Sequence, residues 1–147
     1  MATLGGRLSR STRVGLVVGA LGLLGLLGIA GWLRPDRRGY GTHMQLGLPR
    51  CAFFALTGQR CPSCGMTTAF AWCVRGRLDR AWEANPAGSL LAPACAALIP
   101  WLLGSAVQGR PWGTRTIDGP LIVLVVAAVA LGLGAWMIRL LFGLGGC

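Results

Sequence analysis

Lysine is absent from this chain, and all 14 basic residues are arginine. No lysine Schiff base or lysine amine nucleophile can therefore form. Acid is scarce too. Asp36, Asp79, Glu83 and Asp118 are the only carboxylate side chains and His43 the only imidazole, which leaves general acid–base chemistry few candidates. Charged residues make up 12% of the 147 positions, about half the share of a soluble domain, while 54% are hydrophobic and the mean hydropathy is +0.61. This balance excludes an ordinary soluble domain and points to one small membrane unit rather than two domains. A net charge of +10 would suit nucleic acid, yet the arginines flank apolar runs and no RNP, KH or basic-helix pattern accompanies them. Lipid headgroups are the expected counterion, and nucleic acid is not an expected partner.

Three apolar stretches, about 14–33, 87–107 and 120–142, meet the roughly 20 residues of helix needed to cross a bilayer. The first is preceded by Arg7, Arg10 and Arg13, as in a signal peptide. Its run exceeds the roughly 7–15 residues of a signal core, and Arg34-Pro35-Asp36-Arg37-Arg38 stands where a small-residue cleavage site would lie, so a retained span is expected. The chain thus divides into a basic tail, 1–13, and a single membrane domain, 14–144, interrupted by a long loop, 34–86. Asn85-Pro86 reads as cap and first turn of the second span. Pro93 and Pro100 inside it predict a kink, with neighbouring groups such as Ser105 helping to satisfy the freed carbonyls.

Within the loop, Cys51 to Leu56 and Met66 to Val74 are apolar but too short to span. They predict an interfacial or re-entrant hairpin with Cys61-Pro62-Ser63-Cys64-Gly65 at its tip, and a short helix beginning at Thr67 or Thr68 and stopping at Gly76. The loop carries Arg34, Arg37, Arg38, Arg50, Arg60, Arg75, Arg77 and Arg80, against Arg7, Arg10, Arg13, Arg110 and Arg115 on the opposite side. The positive-inside rule therefore predicts a cytoplasmic loop.

Cys51, Cys61, Cys64 and Cys73 are spaced C-x9-C-x2-C-x8-C, and four thiolates can close a tetrahedral zinc site, with His43 as substitute for Cys73. The redox alternative uses Cys61 as attacking thiol, with Arg60 beside it to favour a thiolate, and Cys64 as resolving thiol. No thioredoxin-like βαβ pattern surrounds the pair. A third reading is a structural knuckle in which Pro62 and Gly65 make a tight turn. Cys95 falls in an apolar span as a small core residue, and Cys147 ends the chain without a prenylation context. The leading expectation is a non-enzymatic, all-α membrane module of three transmembrane helices, its hairpin held by the cysteines, with zinc as candidate ligand and a second membrane protein as partner. The alternative is a membrane thiol-disulfide oxidoreductase.

Cys51, Leu56-Thr57-Gly58, Cys61-Pro62-Ser63-Cys64-Gly65-Met66-Thr67-Thr68-Ala69-Phe70, Gly76 and Asn85-Pro86 carry a resemblance. Together they resemble the domain-of-unknown-function family 2752, small bacterial membrane proteins marked by C-P-x-C-G-x-T-[RT]-A and a downstream N-P. Many members carry Arg where this chain has Thr68, and Cys73 is not part of that pattern. The resemblance implies a multi-span helical protein of a bacterial inner (cell) membrane and supplies no activity.

Overall fold

The computed structural model describes residues 7–111 and 118–141. Its elements are helices α1 (Arg10–Trp32), α2 (Ala52–Thr57), α3 (Met66–Cys73), α4 (Leu78–Ala84), α5 (Pro86–Gln108) and α6 (Asp118–Leu141), with a 3-10 turn at Thr42–Leu46. No strand occurs among the described residues. The regular elements among the described residues are all helical, as the long apolar runs predict. Helix α1 starts one turn earlier than its apolar run because the Ser9 hydroxyl accepts the Thr12 amide at 3.2 Å, a cap that draws Arg10 and Arg13 into the helix.

Among the described residues two helices, α1 and α5, rather than three are long and apolar enough to cross a membrane. In α6 the apolar segment among the described residues is Ile122–Ile138, and Phe142, to which the sequence reading carries the run, lies outside the described residues.

Helices α1 and α5 run antiparallel. Leu16 and Ala20 of α1 meet Leu102 and Ala106 of α5, while Ala30 meets Ala92 and Cys95 of α5 together with Phe70 of α3. Small side chains on both helices let their backbones approach. Helix α6 lies along the other side of α5, with Gly132 beside Ala87. The Trp136 indole donates at 2.9 Å to the Arg60 carbonyl.

Two arginines close helix ends. The Arg75 guanidinium, just beyond α3, donates to the carbonyls of Ala30, Gly31 and Leu33 at the end of α1 and to that of Ala71, at 2.7–3.3 Å. Arg13 likewise donates to Ala106 and Val107 of α5 at 2.6 and 3.3 Å. These carbonyls have no partner within their own helices, and a planar fork of donors serves several at once.

Helix α5 runs unbroken through Pro93 and Pro100. Pro93 has no N–H to offer the Ser89 carbonyl four residues earlier. The Cys73 thiol donates to that carbonyl instead, at 3.6 Å. The 34–86 loop thus folds as a cap of three short helices and the 3-10 turn, where α1 ends and α5 begins.

Candidate functional site

The Cys61–Gly65 turn is built from local bonds: the Cys64 amide donates to the Cys61 carbonyl at 3.0 Å and the Met66 amide to Ser63 at 3.1 Å. Gly65 then adopts φ +86°, and a Cβ there would lie 2.5 Å from both the Ala84 and Gly39 carbonyl oxygens. No L side chain suits that conformation or that space. Helix α3 starts at Met66, one residue before the sequence reading places it, and the chain turns at Gly76, φ +73°.

Asn85 ties this turn to α5. Its side-chain oxygen accepts the Gly88 amide at 3.0 Å, the predicted cap. Its side-chain nitrogen donates to the carbonyls of Pro62 and Cys64, both at 3.1 Å. The residue is 2% exposed, so three buried or half-buried backbone groups depend on it. Gly88 permits the close fit, since a Cβ on it would come within 3.0 Å of the Ala69 Cβ. Thr68, wholly buried, shares a 2.8 Å hydrogen bond with Thr42, whose hydroxyl also accepts the Asp36 amide at 3.0 Å. The cysteine turn, the N-P step and the segment after α1 therefore form one hydrogen-bonded unit.

Cys51 and Cys61, ten residues apart in sequence, are brought together with sulfurs 3.6 Å apart. That contact is about 1.5 Å longer than a disulfide bond. The Phe54 amide, at the open first turn of α2, holds the Cys51 thiol below its ordinary value, with the Cys61 thiol and Phe53 amide assisting and burial opposing. Burial pushes the Cys61 thiol up, and the neighbouring Cys51 adds to the rise. The Arg60 guanidinium lies 4.4 Å from the centre of the Tyr40 ring and that of Arg38 5.5 Å, cation–π contacts beside the thiols. The Arg60 Nε is buried without a hydrogen-bond partner. A small cavity of about 60 Å³ is lined by Cys51, Cys64, Tyr40, His43, Arg38 and Arg50, among others.

The four-ligand metal set is not assembled. No three His, Cys, Asp or Glu side chains among the described residues come together in a way that would hold a metal ion. Cys73 faces the Ser89 carbonyl and packs with the Ala30–Phe70–Ala92–Cys95 cluster, while His43 and Cys64 line the small cavity. Cys95 is buried at 7% exposure. The sequence reading missed the Cys51–Cys61 contact, the two amide donors of Asn85 and the capping role of Arg75. Only Arg75 carried a local signal, as a cation directly following an apolar helix.

Residues 51–99 match the model of a family described as protein of unknown function (DUF2752). No curated protein and no solved structure matches the chain. The matched segment holds the Cys51–Cys61 contact, the turn, Gly65, Asn85 and Gly88, which is most of the bonded unit just described.

Proposed function

We propose that the chain is a non-enzymatic integral membrane module in which α1, α5 and α6 lie in the bilayer and the cysteine cap is a structural knuckle at one membrane face. Membrane residence is supported by exposure. Only 17% of the apolar window of α1 and 28% of that of α5 are buried, where the core helix of a soluble protein would be mostly buried. Helix α6 likewise presents Ile122, Val125, Val126, Val129, Met137 and Ile138 outward. A bacterial inner membrane is the compartment we assign, with lipid as the principal partner and a second membrane protein against the cap.

The observation that carries the knuckle reading is the Asn85 side chain, which bonds both the turn and the start of α5. A knuckle of this kind fixes where the hairpin sits on the second span and needs no turnover. The test is alkaline carbonate extraction of membranes holding the full chain, followed by zinc analysis and thiol counting on purified protein. Retention in the membrane, with thiols that alkylate freely and do not cycle with dithiothreitol, agrees with a metal-free knuckle. Release by carbonate refutes membrane integration. Zinc that protects Cys51, Cys61 and Cys64 from alkylation restores the metal-bound form of the knuckle.

The Cys51–Cys61 contact favours a second reading, thiol-disulfide exchange. The Cys51 thiolate would attack a substrate disulfide, forming a mixed disulfide and releasing one thiolate. Cys61 would then displace the second, leaving a Cys51–Cys61 disulfide and a substrate reduced by two electrons. This differs from the Cys61–Cys64 pairing that the C-x2-C spacing suggests. A partner trapped as a mixed disulfide in Cys61→Ser but not in Cys51→Ser would favour it. Trapping only in Cys64→Ser would return the chemistry to the C-x2-C pair.

A further inference from the structure

On the side of the cap formed by the segment after α1 and the α3–α4 corner lies an open cavity of about 470 Å³. Arg37, Arg38, Arg77 and Arg80 line it, with Trp72 and Glu83. We infer that this cavity binds a phosphate ester, and specifically the phosphodiester headgroup of an anionic phospholipid. The inference rests on the membrane reading for its source of ligand, not for its chemistry.

Four arginines from two separate stretches of chain line it, and three carboxylates pair with three of them. Arg38 pairs with Asp36 at 2.8 Å, Arg77 with Asp79 at 2.9 Å, and Arg80 with Glu83 at 3.2 Å and with Asp79 at 4.0 Å. Arg37 has no carboxylate partner among the described residues, so the rim keeps one unanswered positive charge, the complement of one phosphodiester. The side chains of Arg77, Arg80, Asp79 and Glu83 are 53–66% exposed. Exposed ion pairs of this kind contribute little and can exchange a carboxylate for a phosphate at small cost. Guanidiniums bind phosphate oxygens two at a time, which suits a fork of arginines better than a cluster of point charges.

Placement supports the same ligand. The Arg37–Arg38 segment follows the end of α1 within six residues, and Trp32, the last residue of that helix, is 75% exposed. Amphipathic indoles at helix ends sit at headgroup depth. An arginine cavity beside such an end opens where phosphodiesters are concentrated. Glu83 on the rim offers an acceptor for headgroup hydroxyls such as those of glycerol.

The experiment uses the full chain purified in detergent. Co-retained lipid is counted by native mass spectrometry after exposure to phosphatidylglycerol or phosphatidylcholine, and glycerol phosphate binding is measured separately. The variants are Arg37→Gln combined with Arg80→Gln, and Arg110→Gln as a basic control outside the cavity, each checked for unchanged melting. Removing two arginines, each contributing about fivefold, should weaken phosphatidylglycerol retention by roughly 25-fold, with Arg110→Gln unchanged. Binding of glycerol phosphate, lost in the double variant but without preference between the lipids, supports the phosphate-ester site and overturns the lipid as its ligand in favour of a soluble source. Equal retention of both lipids together with no glycerol phosphate binding overturns the inference, as does binding that survives in the double variant. Carbonate extraction of the same preparation separates these outcomes from failure of the membrane reading, since glycerol phosphate binding needs no bilayer.

Discussion

Asn85 offers the most discriminating perturbation, because its three hydrogen bonds can be removed in separate combinations. Asn85→Ser keeps an oxygen able to cap the Gly88 amide and deletes both donors to the Pro62 and Cys64 carbonyls. Each lost bond is worth about 1 kcal/mol, and a buried carbonyl left unpaired costs about 1–3, so a loss of about 2–3 kcal/mol is expected. Asn85→Leu adds the cap, about 1 kcal/mol more. Asn85→Asp keeps the shape but turns an oxygen toward two carbonyls, so its carboxyl in the folded state rises above the ordinary carboxylate range. The stability of that variant is then highest below the ordinary carboxylate value and falls as pH rises through the raised one, opposite to the usual behaviour of a paired carboxylate. Thermal unfolding of the detergent-purified chain should show Asn85→Ser melting roughly 5–10 °C below the parent, with Asn85→Asp recovering part of its deficit in acid. If Asn85→Ser melted with the parent while Asn85→Leu fell by the cap alone, the amide donors would contribute nothing and the clamp would be refuted.

Gly65→Ala should be among the most damaging single-methyl changes, costing more than about 3 kcal/mol, because its Cβ would collide with two backbone oxygens at a left-handed φ. Failure of the variant to melt earlier than the parent would contradict the packing. Arg75→Lys keeps the charge but cannot fork to the carbonyls at the end of α1, and a loss of about 1–3 kcal/mol is expected in the same assay, with Arg75→Gln no better. Alkylation of the reduced protein, read by mass spectrometry at Cys51 and Cys61 across pH, should reach its plateau at lower pH for Cys51, since a lowered thiol holds more thiolate at a given pH and a raised one less. Coincident profiles would show that the two sites are not electrostatically distinct.

What the sequence disclosed and what it hid divide along one physical line. Periodic or continuous properties were legible: the apolar runs of α1 and α5, the two short apolar segments flanking the cysteine turn, the Asn85-Pro86 start and the Gly76 stop. Each is written in consecutive residues. Long-range pairings were not. That Cys51 should lie against Cys61 or Thr42 against Thr68 depends on how the cap folds, and nothing within a few residues of any of them encodes it, while the position of Arg75 after an apolar helix signals a cap without saying that it serves the end of α1. Helix α4 was overlooked because Leu78–Ala84, with three charges in seven residues, reads as loop. It is held by packing of Ala81 and Ala84 on Ala69 rather than by its own propensity. The arginine excess of the loop was read as a topology signal alone, yet Arg75 serves the fold directly.

The bond from the Cys73 thiol to the Ser89 carbonyl has a genetic consequence. Cys73 answers a vacancy that exists only because residue 93 is proline. Replacing Pro93 by alanine restores an amide to the helix, and position 73 is then released from that bond, so substitutions there keep only the cost of its packing and harm less than in the parent. The two sites are epistatic, and in a drifting lineage the proline can be lost without the cysteine more safely than the cysteine without the proline. The order of change is thereby constrained at a position where sulfur serves a backbone carbonyl.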